Sequence, residues 1–136
     1  MSAEGQQEVL ITEVGPRDGL QNEKQEVSSE AKIAFIDQLS AAGLRQIEVT
    51  SFVHPKRVPA MADAEVICDR IRRRPGVRYI ALTPNLRGYE RAVTAGCDTV
   101  AVFTAASSGF TQANIGMDVE RSLEVFGELA QQAARD

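Results

Sequence analysis

Four strand–helix units in succession predict an α/β chain built on a parallel sheet, and three observations carry that reading. Short β-branched or apolar runs begin near residues 9, 46, 77 and 99. Stretches with helical spacing of apolar residues fill the gaps between them. Each gap is long enough for the right-handed crossover that joins parallel neighbours.

The first run, Val9–Val14, reads as a strand by residue type. A helix follows from Ser28 or Ser29, either of which can cap it, with Ile33, Ile36 and Leu39 on one face and Gly43 ending it. The second strand is Gln46–Thr50. The second helix runs from about Met61 to Arg74, with Val66, Ile67 and Ile71 inward; its basic last turn, Arg72-Arg73-Arg74, complements the helix dipole before Pro75-Gly76 stops it. Val77–Thr83 is the third strand, and a short third helix spans Leu86–Ala95 before Gly96. Thr99–Thr104 is the fourth strand, and the fourth helix starts at Asp118 with Val119, Leu123, Phe126 and Leu129 or Ala130 inward. Four such units make half of an eightfold barrel, which takes about 250 residues. They also make a small open sheet, flavodoxin-like but one unit short. Periodicity leaves both open.

Composition narrows the function classes. The 136 residues carry 15 Lys+Arg against 19 Asp+Glu, a net charge of −4, and 43% are hydrophobic, enough for one domain with a real core. An acidic chain without a basic cluster is not expected to bind nucleic acid, where phosphates must be neutralised. No apolar run approaches the roughly 18 residues that cross a bilayer, so no membrane partner is expected. The N-terminal residues lack the basic and apolar regions of a signal peptide and the arginines of a transit peptide. Cys68 and Cys97 are too few for a disulfide framework and fit no metal spacing. Together these features lead to the expectation of a cytoplasmic location.

In parallel α/β architectures chemistry collects where strands end at their carboxyl termini. Those positions hold Gly15-Pro-Arg-Asp-Gly-Leu-Gln-Asn-Glu23, Glu48 with Thr50 and Ser51, Thr83-Pro-Asn85, and Thr104-Ala-Ala-Ser107. In the first, Arg17 and Asp18 lie side by side between glycines. Arginine offers a planar fork to a carbonyl or carboxylate oxygen, and aspartate is a hard ligand suited to Mg²⁺ or Mn²⁺.

The whole string Ile11-Thr-Glu-Val-Gly-Pro-Arg-Asp-Gly-Leu-Gln-Asn-Glu-Lys24 closely resembles the signature of 3-hydroxy-3-methylglutaryl-CoA lyases, which belong to the metal-dependent lyases and aldolases built on TIM barrels. Ile47–Val53, Pro55–Met61, Leu82–Leu86 and Ala105–Ser107 are similar to the same family, so the resemblance runs from about residue 8 onward. It implies the N-terminal (βα)₄ half of a TIM barrel: a partial barrel domain of the pyruvate carboxyltransferase-like type over 8–136, after a disordered tail of 1–7. The implied activity is retro-Claisen cleavage of 3-hydroxy-3-methylglutaryl-CoA to acetyl-CoA and acetoacetate, as in leucine degradation and ketone-body formation. By the same resemblance, Arg17 holds the enolate oxygen, Asp18 is a ligand of a divalent metal (Mg²⁺ or Mn²⁺), and Glu48 supports the arginine. Lys24 and Ser51 fall near the site, and Asn85 and Ser107 fall at strand ends with roles left open. His54, alone in its loop, is not expected to bind metal. The family's His-x-His metal pair, later asparagine and glycine-rich loop with its cysteine have no counterpart in these residues, so this chain alone is expected to be inactive. The implied partners are an acyl-CoA substrate, a second copy in the intact homodimer, and self-association of the fragment through open strand edges. Two alternatives remain: a Claisen-condensing relative acting on a 2-oxo acid and acetyl-CoA, and a non-catalytic half-barrel assembly module.

Overall fold

The computed structural model describes residues 8–136, so the expected disordered tail lies outside the described residues. Four parallel strands stand in the order β1 (Thr12–Glu13), β2 (Gln46–Ser51), β3 (Arg78–Leu82) and β4 (Thr99–Ala101). A doubly wound sheet reverses direction at a switch point; this sheet steps one way only, as a barrel wall does, and it is not closed. Three helices connect the strands, α1 (Ser29–Ala41), α2 (Ala64–Arg70) and α3 (Leu86–Thr94), and two more, α4 (Ser108–Ile115) and α5 (Val119–Ala133), follow β4.

β2 is one of the two inner strands and is buried almost throughout, as expected where both faces of a parallel sheet are covered. Its pleat sends Ile47 and Val49 into the core with Ile36, Phe52, Ile67 and Tyr79, which leaves Glu48 on the opposite face. The register against β3 shifts between Glu48 and Thr50, an irregularity of the kind that re-aims a side chain.

The edge strands are shorter than expected. β1 pairs only through Thr12↔Gln46 and Glu13↔Ile47, and Val9, Leu10 and Ile11 are exposed. β4 stops at Ala101 because β3, its only partner among the described residues, ends at Leu82. A strand with a neighbour on one side extends only as far as that neighbour does.

The helices keep their expected caps. Ser28 Oγ accepts from Ala31 N, and Asp118 Oδ1 from Arg121 N. Gly43, Gly76 and Gly96 each take the left-handed conformation that stops a helix or turn, with φ of +93°, +79° and +77°. α2 departs from expectation, beginning at Ala64 and ending at Arg70. Beyond it the backbone is held elsewhere, since Arg72 N donates to Asp37 Oδ1 (2.9 Å) and Arg74 N to Tyr79 Oη (2.9 Å). The three arginines are therefore an extended segment and not a helical last turn. Val66 and Leu123 are exposed; the inward face of α5 is carried by Ser122, Phe126 and Leu129. α4 has no counterpart in the sequence reading because Thr111 is its one buried residue and no apolar stripe marks it.

Gly88 allows α3 to lie against the end of β2. A Cβ there would stand 2.8 Å from the Phe52 carbonyl oxygen and 3.0 Å from Pro84 Cδ. Its amide caps on Asn85 Oδ1 at 2.9 Å.

Candidate active site

The segment after β1 closes into a single wide helical turn, Gly15–Gly19. The amides of Arg17, Asp18 and Gly19 all point at the Val14 carbonyl, at 3.1, 2.7 and 3.4 Å, and Pro16 is buried beneath them. Wide turns of this type recur at functional sites because they splay side chains that a regular helix would stack. Glu13 steadies the entry, its Oε1 accepting from Gly15 N at 2.7 Å.

This turn delivers Arg17 to β2. Its Nε donates to Glu48 Oε1, and its Nη1 donates to Asp18 Oδ1 at 3.1 Å. The Arg17 and Glu48 side chains keep 18% and 10% of their exposure, whereas Asp18 keeps 56%. Two half-dry opposite charges are thus locked together, with a third, wet carboxylate beside them. No hydrogen bond among the described residues engages Arg17 Nη2, and none engages Asp18 Oδ2. The arginine is held through Nε and Nη1 and leaves Nη2 open, so it can receive an oxyanion without reorganising.

Asp18 offers one hard oxygen to a divalent metal. Among the described residues, however, no group of three or more His, Cys, Asp or Glu side chains is placed to hold an ion. One carboxylate does not fill the near-octahedral shell of Mg²⁺, so these residues by themselves do not fit a resident metal.

The remaining candidates lie elsewhere. Lys24 is exposed and lines a cleft of about 1040 Å³ together with Lys32, Arg57 and Asp63; neither Arg17 nor Glu48 lines it. Ser51 is fully buried and bonds across to the Leu82 carbonyl at 3.4 Å. Asn85 and Ser107 are the N-caps of α3 and α4, Ser107 Oγ accepting from Phe110 N at 3.3 Å. His54 sits in an exposed loop and accepts from Lys56 N at 3.2 Å.

Sequence reasoning missed the polar knot that fixes the cleft wall. Lys32, inside the stripe of α1 that faces the core, donates from Nζ to Ala60 O (2.7 Å) and to both Asp63 oxygens (2.9 and 3.0 Å), while Ser29 Oγ donates to Asp63 Oδ2 (2.7 Å). A lysine among apolar positions was the available signal, since a buried ammonium requires a partner.

Comparison with known proteins places this geometry. The HMGL-like family model matches residues 8–136. The chain is 56% identical over 118 residues to the 3-hydroxy-3-isohexenylglutaryl-CoA/hydroxy-methylglutaryl-CoA lyase of Pseudomonas aeruginosa, covering 87% of this chain and 39% of that protein. It is 53% identical over 123 residues to the mitochondrial hydroxymethylglutaryl-CoA lyase of Gallus gallus, covering 90% and 41%. The crystal structure of a hydroxymethylglutaryl-CoA lyase from Pseudomonas aeruginosa superposes with a TM-score of 0.88 at 53% identity, over 93% of this chain and 42% of that one. A lyase from Acinetobacter baumannii, solved with coenzyme A and 3-methylmalate, gives 0.87 at 39% identity, over 90% and 40%. The four-unit sheet therefore matches the barrel of these enzymes, and the open-sheet alternative falls.

The expectation of a cytoplasmic location is corrected by the same comparison. The Gallus gallus relative is named mitochondrial, whereas a Mus musculus relative, also 53% identical, is named cytoplasmic. Proteins of two compartments share this domain equally well, so its composition and cysteine count do not encode the compartment.

Proposed function

Because the chain belongs to the HMGL-like family, we propose that it supplies the N-terminal part of a lyase that cleaves 3-hydroxy-3-methylglutaryl-CoA to acetyl-CoA and acetoacetate. Residues 8–136 form one partial-barrel domain in this reading, with acyl-CoA as substrate. The observation that carries the reading is the Arg17–Glu48 pair, which joins the turn after β1 to the inside of β2, with Arg17 Nη2 left open.

Cleavage begins when a general base takes the proton of the C3 hydroxyl. The electron pair of the O–H bond becomes the new carbonyl of acetoacetate, and the C2–C3 bond breaks toward the thioester. The charge collects on the thioester oxygen as an enolate, which takes a proton at carbon to give acetyl-CoA. Arg17 stabilises that oxyanion through its free edge, and Glu48 holds the guanidinium in place so that no reorientation is needed at the moment of bond breaking. Asp18 would add one oxygen ligand to a divalent metal whose other ligands come from outside the described residues. The two sheet edges, at β1 and β4, are surfaces for association, either with the rest of a barrel or with a second copy.

A chimera tests the proposal: this chain replaces the matched N-terminal part of the Pseudomonas aeruginosa relative, and acetoacetate release is followed with 3-hydroxy-3-methylglutaryl-CoA as substrate. Cleavage is the expected result. A folded chimera that condenses acetyl-CoA with a 2-oxo acid, or does neither, overturns it.

A further inference from the structure

The two cysteines stand 29 residues apart in sequence and meet in space, Sγ to Sγ at 2.9 Å. Cys68 lies on α2 and is buried, whereas Cys97 lies two residues before β4 and is partly exposed. Cys97 enters its strand at the amino end, opposite to the end of β1 that carries the Gly15–Gly19 turn, so the pair is remote from Arg17 and Glu48. Neither thiol has a part in the cleavage chemistry.

We infer that Cys68 and Cys97 form a redox-active dithiol, a modification site that a peroxide converts to an intramolecular disulfide. The surroundings divide the labour between them. The hydrogen bond between the two thiols and the positive charge of the Arg73 guanidinium beside them both hold the Cys97 thiol below its ordinary pKa. Arg73 is fixed in that position by its hydrogen bond to the Cys68 carbonyl (3.0 Å) and by stacking over the Tyr79 ring at 5.8 Å. The same hydrogen bond, together with burial, pushes Cys68 up. A lowered, reachable thiol next to a cation is the reactive type, and a buried, raised thiol is not.

Cys97 thiolate attacks one peroxide oxygen. The O–O bond breaks, the leaving oxygen takes a proton and departs as water, and Cys97 becomes a sulfenic acid. Cys68 then loses its proton as its sulfur attacks the Cys97 sulfur, and the sulfenic oxygen leaves as a second water. Two thiols and one hydrogen peroxide thus give one disulfide and two waters. The bond ties α2 to the turn after α3 and closes a loop containing β3 and α3, which restricts the unfolded chain.

Hydrogen peroxide is added to the purified chain, remaining thiols are alkylated, and peptides are mapped without reduction. The expected product is a Cys68–Cys97 cross-link within one molecule, reversed by dithiothreitol, with Tm raised by about 10 °C. Cys68→Ala is expected to leave Cys97 as a sulfenic acid that dimedone labels, and Cys97→Ala to leave Cys68 unlabelled. Two free thiols after peroxide, a cross-link found only between molecules, or equal labelling of both variants would overturn the inference. If a variant fails to fold by circular dichroism, mapping and melting of the unsubstituted chain decide the matter alone.

Discussion

Arg17 carries most of what this site can do. Its guanidinium is anchored by Glu48 and Asp18, yet it projects from a turn and is not part of the hydrophobic core. Arg17→Gln in the chimera is expected to cut turnover by about 10²–10³, the usual contribution of one oxyanion-stabilising donor, and to lower the melting temperature as well, because the buried Glu48 carboxylate loses its cation. Retention of more than about half the activity would remove Arg17 from the chemistry. Asp18 gives the complementary expectation for the chain alone. With one carboxylate ligand the ion keeps most of its waters, so calorimetry with Mn²⁺ should detect no micromolar binding and a coupled assay no acetoacetate. Tight binding would mean that other side chains complete the shell.

The elements are pinned to one another by a few polar contacts whose loss should be measurable. Lys32 joins α1 to the segment before α2 through Asp63, with side-chain exposures of 8% and 20%. Lys32→Ala leaves a carboxylate half-buried and unpaired, and denaturant melts should show a loss of about 3 kcal/mol; a change below about 1 kcal/mol would mean that water replaces the ammonium. Between α2 and α3, Arg91 Nε donates to Glu65 Oε1 at 2.7 Å, and that hydrogen bond holds the Glu65 carboxyl below its usual value. A lowered carboxylate pKa stabilises the fold at pH values above the unfolded-state value, about 4.3, and the contribution is lost as pH falls through the folded-state value. Glu65→Gln should therefore lower Tm slightly at neutral pH, by the equivalent of less than about 1 kcal/mol for so exposed a pair, and not at all in strong acid. A Tm difference independent of pH would assign the effect to packing.

On the scale of the whole molecule, the sheet order β1-β2-β3-β4 leaves, among the described residues, an unpaired edge at either end, and Val9, Leu10, Ile11 and Val102 are exposed there. Open parallel edges are templates for further strands. Light scattering should find this chain as a dimer or larger species, and Val102→Lys should move it toward monomer. A monomer at every concentration would show that these edges are sealed in solution.

Much of this was legible in one dimension. β-branched runs alternate with helical ones because a parallel sheet requires a crossover after every strand, and the caps Ser28 and Asp118 with the stops Gly43 and Gly96 obey local backbone rules that need no tertiary partner. The string around Arg17 and Asp18 marked the family for the same reason: a turn made by adjacent residues is written contiguously. What only the tertiary structure decided depends on residues far apart in the chain. The early end of α2 comes from Asp37 and Tyr79 taking the backbone amides of Arg72 and Arg74, and the short β1 and β4 come from the lengths of their neighbours. The buried lysine is satisfied by Asp63, 31 residues away, and the two cysteines meet across 29 residues. Propensity and periodicity act over a few residues, whereas hydrogen-bond competition and burial are settled by whichever groups the folded sheet brings together, and that pairing is not encoded in local spacing.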